Sequence, residues 1–126
     1  MKTIIHTSEA PAAIGPYSQA TLANGTLYIS GQIPVDPETG KLVEGIDKET
    51  HQVMKNLKAI LTAADMNFDN AVKASIFLKN MDDFAVVNEI YASYFNNDQF
   101  PARETVQVSC LPKNVDVEIS MIAVKD

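Results

Sequence analysis

Arg103 is the only arginine in a chain that carries nine lysines. It stands in Phe100-Pro-Ala-Arg-Glu-Thr-Val-Gln-Val108, whose alternation reads as a β-strand with Arg103, Thr105 and Gln107 on one face. A guanidinium offers paired N–H donors that match both oxygens of a carboxylate, which a lysine ammonium cannot do. One arginine among nine lysines therefore points to a planar fork and an anionic ligand. In Val115-Asp-Val-Glu-Ile-Ser-Met121, Asp116, Glu118 and Ser120 share a polar face. If these last two strands pair, Arg103 and Glu118 lie on one face. The simplest consequence is a cross-strand ion pair worth under about 1 kcal/mol; the functional alternative is an anion site with an adjacent carboxylate.

Other positions carry the same double reading. Tyr17 follows the Gly15-Pro16 turn, which sets its ring at the edge of a hairpin as a packing anchor or as a phenol facing a ligand. Ser30 precedes Gly31, where a missing side chain marks a bulge or lets a ligand approach. Asn88 interrupts the apolar stripe of a helix and must be hydrogen-bonded, either to a loop or within a polar site. Cys110 reads as a small buried hydrophobe, with no histidine placed to activate it. His6 closes the first strand and His51 sits in the early turns of a helix, and neither looks like a general base. One cysteine and two separated histidines supply no metal cluster, and there is no Gly-rich phosphate loop.

The elements that must position these residues follow from periodicity. Thr3–Thr7 is a short strand. Residues 17–23 and 26–33 form a hairpin around Asn24-Gly25, a dipeptide suited to the positive φ of a tight turn. The Pro- and Gly-containing stretch 34–45 is a loop. From Asp47, taken as an N-cap, to about Asp65 the period becomes helical, with Val53, Leu57, Ile60, Leu61 and Ala64 on one face. Residues 71–79 alternate, placing Val72, Ala74, Ile76 and Leu78 together. The strand–helix–strand order favours a right-handed crossover with parallel pairing. A second helix runs from about Asp82 to Phe95, with Phe84, Val87, Tyr91 and Phe95 inward. Strands 102–110 and 115–124 follow, joined by Leu-Pro-Lys-Asn. The result is an α+β domain, β-β-β-α-β-α-β-β, with both helices on one face of a mixed sheet. Several strands are apolar or intermediate on both sides, so the second face calls for other subunits.

Composition bounds the rest. The 126 residues read as a single domain, 46% hydrophobic and 21% charged. A net charge of −6 argues against a general nucleic-acid or anionic-membrane binder. The lone cysteine fits a reducing compartment, and neither a signal-type apolar run near the start nor a membrane-length segment is visible, so a cytoplasmic protein is expected.

The segments APAAIGPYSQA, SGQIP, VVNEIY, FPARETVQV and LPKNVDVEISMIAV, in this order, resemble the Rid family of reactive intermediate deaminases, close to its RidA branch. The resemblance covers essentially the whole chain. It implies a chorismate-mutase-like fold assembled as a homotrimer around a central barrel, with sites in the clefts between subunits. It further implies hydrolysis of enamines and imines such as 2-aminoacrylate and 2-aminocrotonate to 2-keto acids and ammonia, with no cofactor or metal. Arg103 would then grip the substrate carboxylate and Glu118 orient the attacking water, while Tyr17, Ser30, Gly31, Asn88 and Thr105 line the cleft. Many members carry cysteine where Thr105 stands, which counts against a covalent thiol intermediate, Cys110 being of opposite strand parity. A non-catalytic binder of small carboxylates in the same clefts is the alternative. Ribonuclease action fits an acidic chain without a basic stripe least well.

Overall fold

The computed structural model describes residues 1–126. The strands are β1 (Thr3–Ile5), β2 (Ala20–Ala23), β3 (Thr26–Gln32), β4 (Ala71–Leu78), β5 (Ala102–Gln107) and β6 (Val117–Val124), with helices α1 (Ile46–Ala63) and α2 (Phe84–Ala92). They form one mixed sheet in the order β1-β2-β3-β6-β4-β5. The β2–β3 hairpin turns at Asn24 and Gly25, both with positive φ as the dipeptide predicts.

The strand order corrects the expected pairing of the last two strands. β4 lies between β5 and β6, parallel to β5 and antiparallel to β6. The reason is in their composition. Val117, Ile119, Met121 and Ala123 are all at most 2% exposed, so β6 belongs at the centre of the sheet. β5, with Glu104 and Gln107 among its residues, tolerates the edge. β6 also separates β3 from β4. Those two strands run in the same direction, but the parallel ladder spans α2, not α1.

α1 packs Val53, Met54, Leu57, Ile60 and Leu61 onto Ala74, Ile76, Ile119 and Met121 in a single core. Each fully buried large aliphatic contributes about 1.5–3 kcal/mol relative to an exposed position. The N-cap of α1 is Gly45, φ 99°, and Asp47 falls inside the first turn, where it meets the helix dipole. Val72 is 48% exposed: a bulge between Ala71 and Lys73 drops it from the core row and lets Ala71 take the place. A turn of 3-10 helix at Met81–Asp83 precedes α2, and Phe84 is 37% exposed instead of inward. Strand ends are shorter than expected: β2 begins at Ala20, β6 at Val117, and β5 stops at Gln107, leaving Cys110 exposed outside any strand. Strand parity therefore says nothing about Cys110.

The opposite sheet face has no covering layer in the single chain. Ile4, Tyr28, Val106 and Val124 are exposed there, around a polar island in which Ser75 donates to Glu104 and Lys73 approaches Glu104 at 3.0 Å.

Candidate functional site

The residues singled out in the sequence fall into two groups. Arg103 is in register with Ala74, and Ala74 with Met121, so Arg103 points to the helix side of the sheet. Glu118 is in register with Phe77, one step out of phase, and points to the other side. The two are on opposite faces with β4 between them. The expected shared face is corrected by the strand order.

The first group gathers at the sheet edge beside α2. Arg103 Nη1 donates to Asn88 Oδ1 at 2.7 Å. This is where Asn88 spends its hydrogen bond; it ties down no loop. Tyr91 and Phe84, from the same helix, present their rings to the guanidinium at 5.2 and 5.7 Å from Cζ. Asn88, Arg103 and Tyr91, with Ala92, Phe100 and Pro101, line a pocket of about 380 Å³. No other guanidinium N–H has a protein acceptor, so the rest are available to a ligand. Burial pushes the Tyr91 phenol up to about 12 against the opposing pull of Arg103. Its hydroxyl, like that of Thr105 two residues beyond Arg103, is buried without a hydrogen-bond partner.

The second group lines a groove of about 900 Å³ that includes Tyr17, Ser30, Gly31, Lys113 and Glu118. It is built on a bulge in β3. Ile29 pairs with Met121 and Gln32 with Ile119, so Ser30 and Gly31 together oppose Ser120. The Glu118 side chain crosses Gly31 so closely that a Cβ there would sit 2.7 Å from its carboxyl carbon. The glycine is the space that the carboxylate occupies. Ser30 Oγ donates to Ser18 O at 2.6 Å, and its NH to Gln19 O at 2.9 Å, tying the bulge to the preceding segment. Tyr17 is 55% exposed, its backbone NH bonded to Gly15 O, and its ring overlooks the groove from a turn in which Gly15 has φ 135°. Burial raises the Glu118 carboxyl above its ordinary value. With Arg103 on the far face, no cation on the same strand row opposes that shift.

Sequence reasoning missed three contributors. Gln19, 2% exposed, donates to the carbonyls of Thr7, Ala10 and Pro11 and accepts from Thr7 NH at 2.7 Å, fixing one wall of the groove. Phe84 and Tyr91 fit the inward stripe of α2 by period, and nothing in a helical period says that an aromatic faces a cation across the sheet edge. The signal available was spacing: Phe84, Asn88 and Tyr91 lie on one helical face. His6 borders the groove, whereas His51 is exposed, pairs with Tyr94 Oη at 2.8 Å and lines neither pocket. Cys110 is exposed and bonds only to Leu111 O.

The chain that carries these two groups has known relatives. Residues 7–125 match the family described as Endoribonuclease L-PSP. A human protein named 2-iminobutanoate/2-iminopropanoate deaminase is 48% identical over 126 residues, covering 99% of this chain and 91% of that one. The crystal structure of Yersinia pestis YyfA, a Rid family protein of unknown function, is 53% identical with a TM-score of 0.97, covering 99% of this chain and all of that one. Escherichia coli TdcF with bound serine is 40% identical with a TM-score of 0.94, covering 98% and 99% of the two chains. Sequence, fold and length agree: this chain belongs to the L-PSP endoribonuclease, or Rid, family.

Proposed function

We propose that the protein hydrolyses 2-imino and 2-enamino acids, such as 2-aminoacrylate and 2-aminocrotonate, to 2-keto acids and ammonia. The observation that carries this reading is the state of Arg103. Its guanidinium is oriented by Asn88, and its remaining donors open onto a pocket, as a carboxylate clamp requires. The family relationship to proteins named as deaminases supports the choice of substrate.

The two half-sites meet between copies. A groove of about 900 Å³ greatly exceeds a four-carbon acid, leaving room for a neighbour to bring Arg103 to the groove that holds Glu118. Three copies packed through the open sheet faces, with Tyr28 and Val106 buried around a central barrel, would give three such clefts. The enamine is first protonated at C3 to give the imine. Water adds to C2, passing a proton to a base, and the carbinolamine expels ammonia as its nitrogen is protonated and its hydroxyl loses a proton. Glu118, raised by burial toward the protonated form, suits the carrier of these protons. Tyr17 and Ser30 complete the groove wall. A substrate this reactive needs orientation more than activation. The cytoplasm, where such intermediates would arise, suits a free thiol at Cys110.

The test is a coupled assay in which a serine/threonine dehydratase generates the enamine in situ. Wild type should accelerate keto-acid formation, and Arg103→Lys, keeping charge but losing the fork, should fall by on the order of a hundredfold. No acceleration by folded wild type would sink the reading. A second reading, non-catalytic binding of small carboxylates, draws on the serine bound to TdcF. It predicts ligand binding through Arg103 with no rate effect.

A further inference from the structure

The environment of Arg103 is more elaborate than carboxylate binding alone demands. Phe84, Asn88 and Tyr91 stand one turn or nearly one turn apart along α2, and all three face the guanidinium. The 3-10 turn that leads into this helix is also tied to the arginine's own strand, since Met81 NH donates to Gln107 Oε1 at 2.8 Å. Gln107 and Arg103 share a face of β5. Phe84 is the unexpected member. At 37% exposed it contributes modestly to the core, yet its ring lies within cation–π range of the only guanidinium in the chain.

We infer that Phe84 and Tyr91, with Asn88, form an aromatic cradle that fixes the orientation of Arg103 before substrate arrives, making Phe84 a positioning residue for carboxylate binding. This rests on Arg103 being the carboxylate clamp. A free arginine side chain samples many rotamers, and ordering it on binding costs affinity. Two rings and an amide acceptor pay that ordering in advance. Asn88 takes one N–H on Nη1 and leaves the others for the ligand. The cradle also predicts that lysine substitutes poorly, since an ammonium has no flat face to stack.

A chain with one arginine has one Nε–Hε signal in a ¹H–¹⁵N spectrum, so the orientation of Arg103 can be followed without assignment ambiguity. Ring currents should displace this signal from the free-arginine position in wild type. Phe84→Leu should move it back and weaken binding of 2-oxobutanoate by on the order of three- to tenfold. In turnover the loss should appear in KM with kcat nearly unchanged. Phe84→Tyr, which restores a ring, should recover both signal and affinity. An arginine signal unchanged in a folded Phe84→Leu protein would overturn the inference. So would a displaced signal with 2-oxobutanoate affinity within twofold of wild type. If wild type itself fails to bind 2-oxobutanoate or to turn over imine, the clamp reading fails instead, and the arginine signal alone decides whether the cradle exists.

Discussion

At the scale of single residues, the smallest side chain in the groove makes the sharpest prediction. Gly31 has an ordinary backbone conformation, so alanine there strains no dihedral, but its methyl would take the space now filled by the Glu118 carboxyl. Glu118 is flexible and would swing aside, leaving the fold intact. Gly31→Ala should therefore reduce imine hydrolysis at least about tenfold, a misplaced proton carrier being costly. Its melting temperature should stay within a few degrees of wild type. Thermal unfolding and the coupled assay on one preparation check both halves; a fully active variant would show that the carboxyl need not lie across Gly31. The parity of Arg103 and Thr105, and of Glu118 and Ser120, was legible from alternation alone. Which face each parity addresses was not, because that depends on the neighbour a strand takes.

At the scale of elements, the join between α1 and the residue before β6 holds a buried carboxyl from which a pH dependence is expected. Glu49 on α1 is 4% exposed and its Oε1 accepts from Asp116 NH at 3.1 Å. Burial, reinforced by the Asp116 carboxyl, lifts its pKa to about 7. A carboxyl that binds its proton more tightly folded than unfolded gives stability that is complete below about pH 4.5 and lost as pH rises through about 7. Asp83 is raised by burial and by Asp116, which adds in the same direction. Urea midpoints for wild type should therefore fall between pH 5.5 and 8. Glu49→Gln keeps an acceptor for Asp116 NH and can donate to the Asp116 carboxylate, so its fall should be smaller by on the order of 2 kcal/mol. Parallel curves for the two proteins would mean that Glu49 is ionised in the native state at little cost. Element identity was legible in the sequence: Asn24-Gly25 fixed the hairpin, and Val53, Leu57, Ile60 and Leu61 fixed α1. Strand order was less so. Adjacent strands in sequence usually pair, but the fully buried row Val117, Ile119, Met121 and Ala123 drew β6 to the centre and left the strand of Arg103 at the edge. The bulge at Val72 was invisible because a bulge obeys no period.

At the scale of the whole molecule, the separation of Arg103 from Glu118 is the feature with the widest consequence. On the proposed reading, one chain holds the carboxylate clamp on one sheet face and the proton carrier on the other, since Arg103 and Glu118 point to opposite sides. If a working site takes Arg103 from one copy and Glu118 from the next, two inactive variants can repair one another. Arg103→Ala supplies an intact Glu118 groove, and Glu118→Gln supplies an intact Arg103 pocket. Unfolded together in equal amounts and refolded, they should distribute at random around a closed ring. A given cleft then has about one chance in two of an intact arginine and about one in two of an intact glutamate on its neighbour. About a quarter of wild-type activity should return from parents that are each nearly inactive. Sites confined to one chain predict no recovery, since every chain would still lack one group. Mixing without refolding is the control, because subunits that do not exchange cannot complement. Recovery near a quarter would place the chemistry between copies; recovery absent from properly mixed oligomers would require Arg103 and Glu118 to serve different ligands.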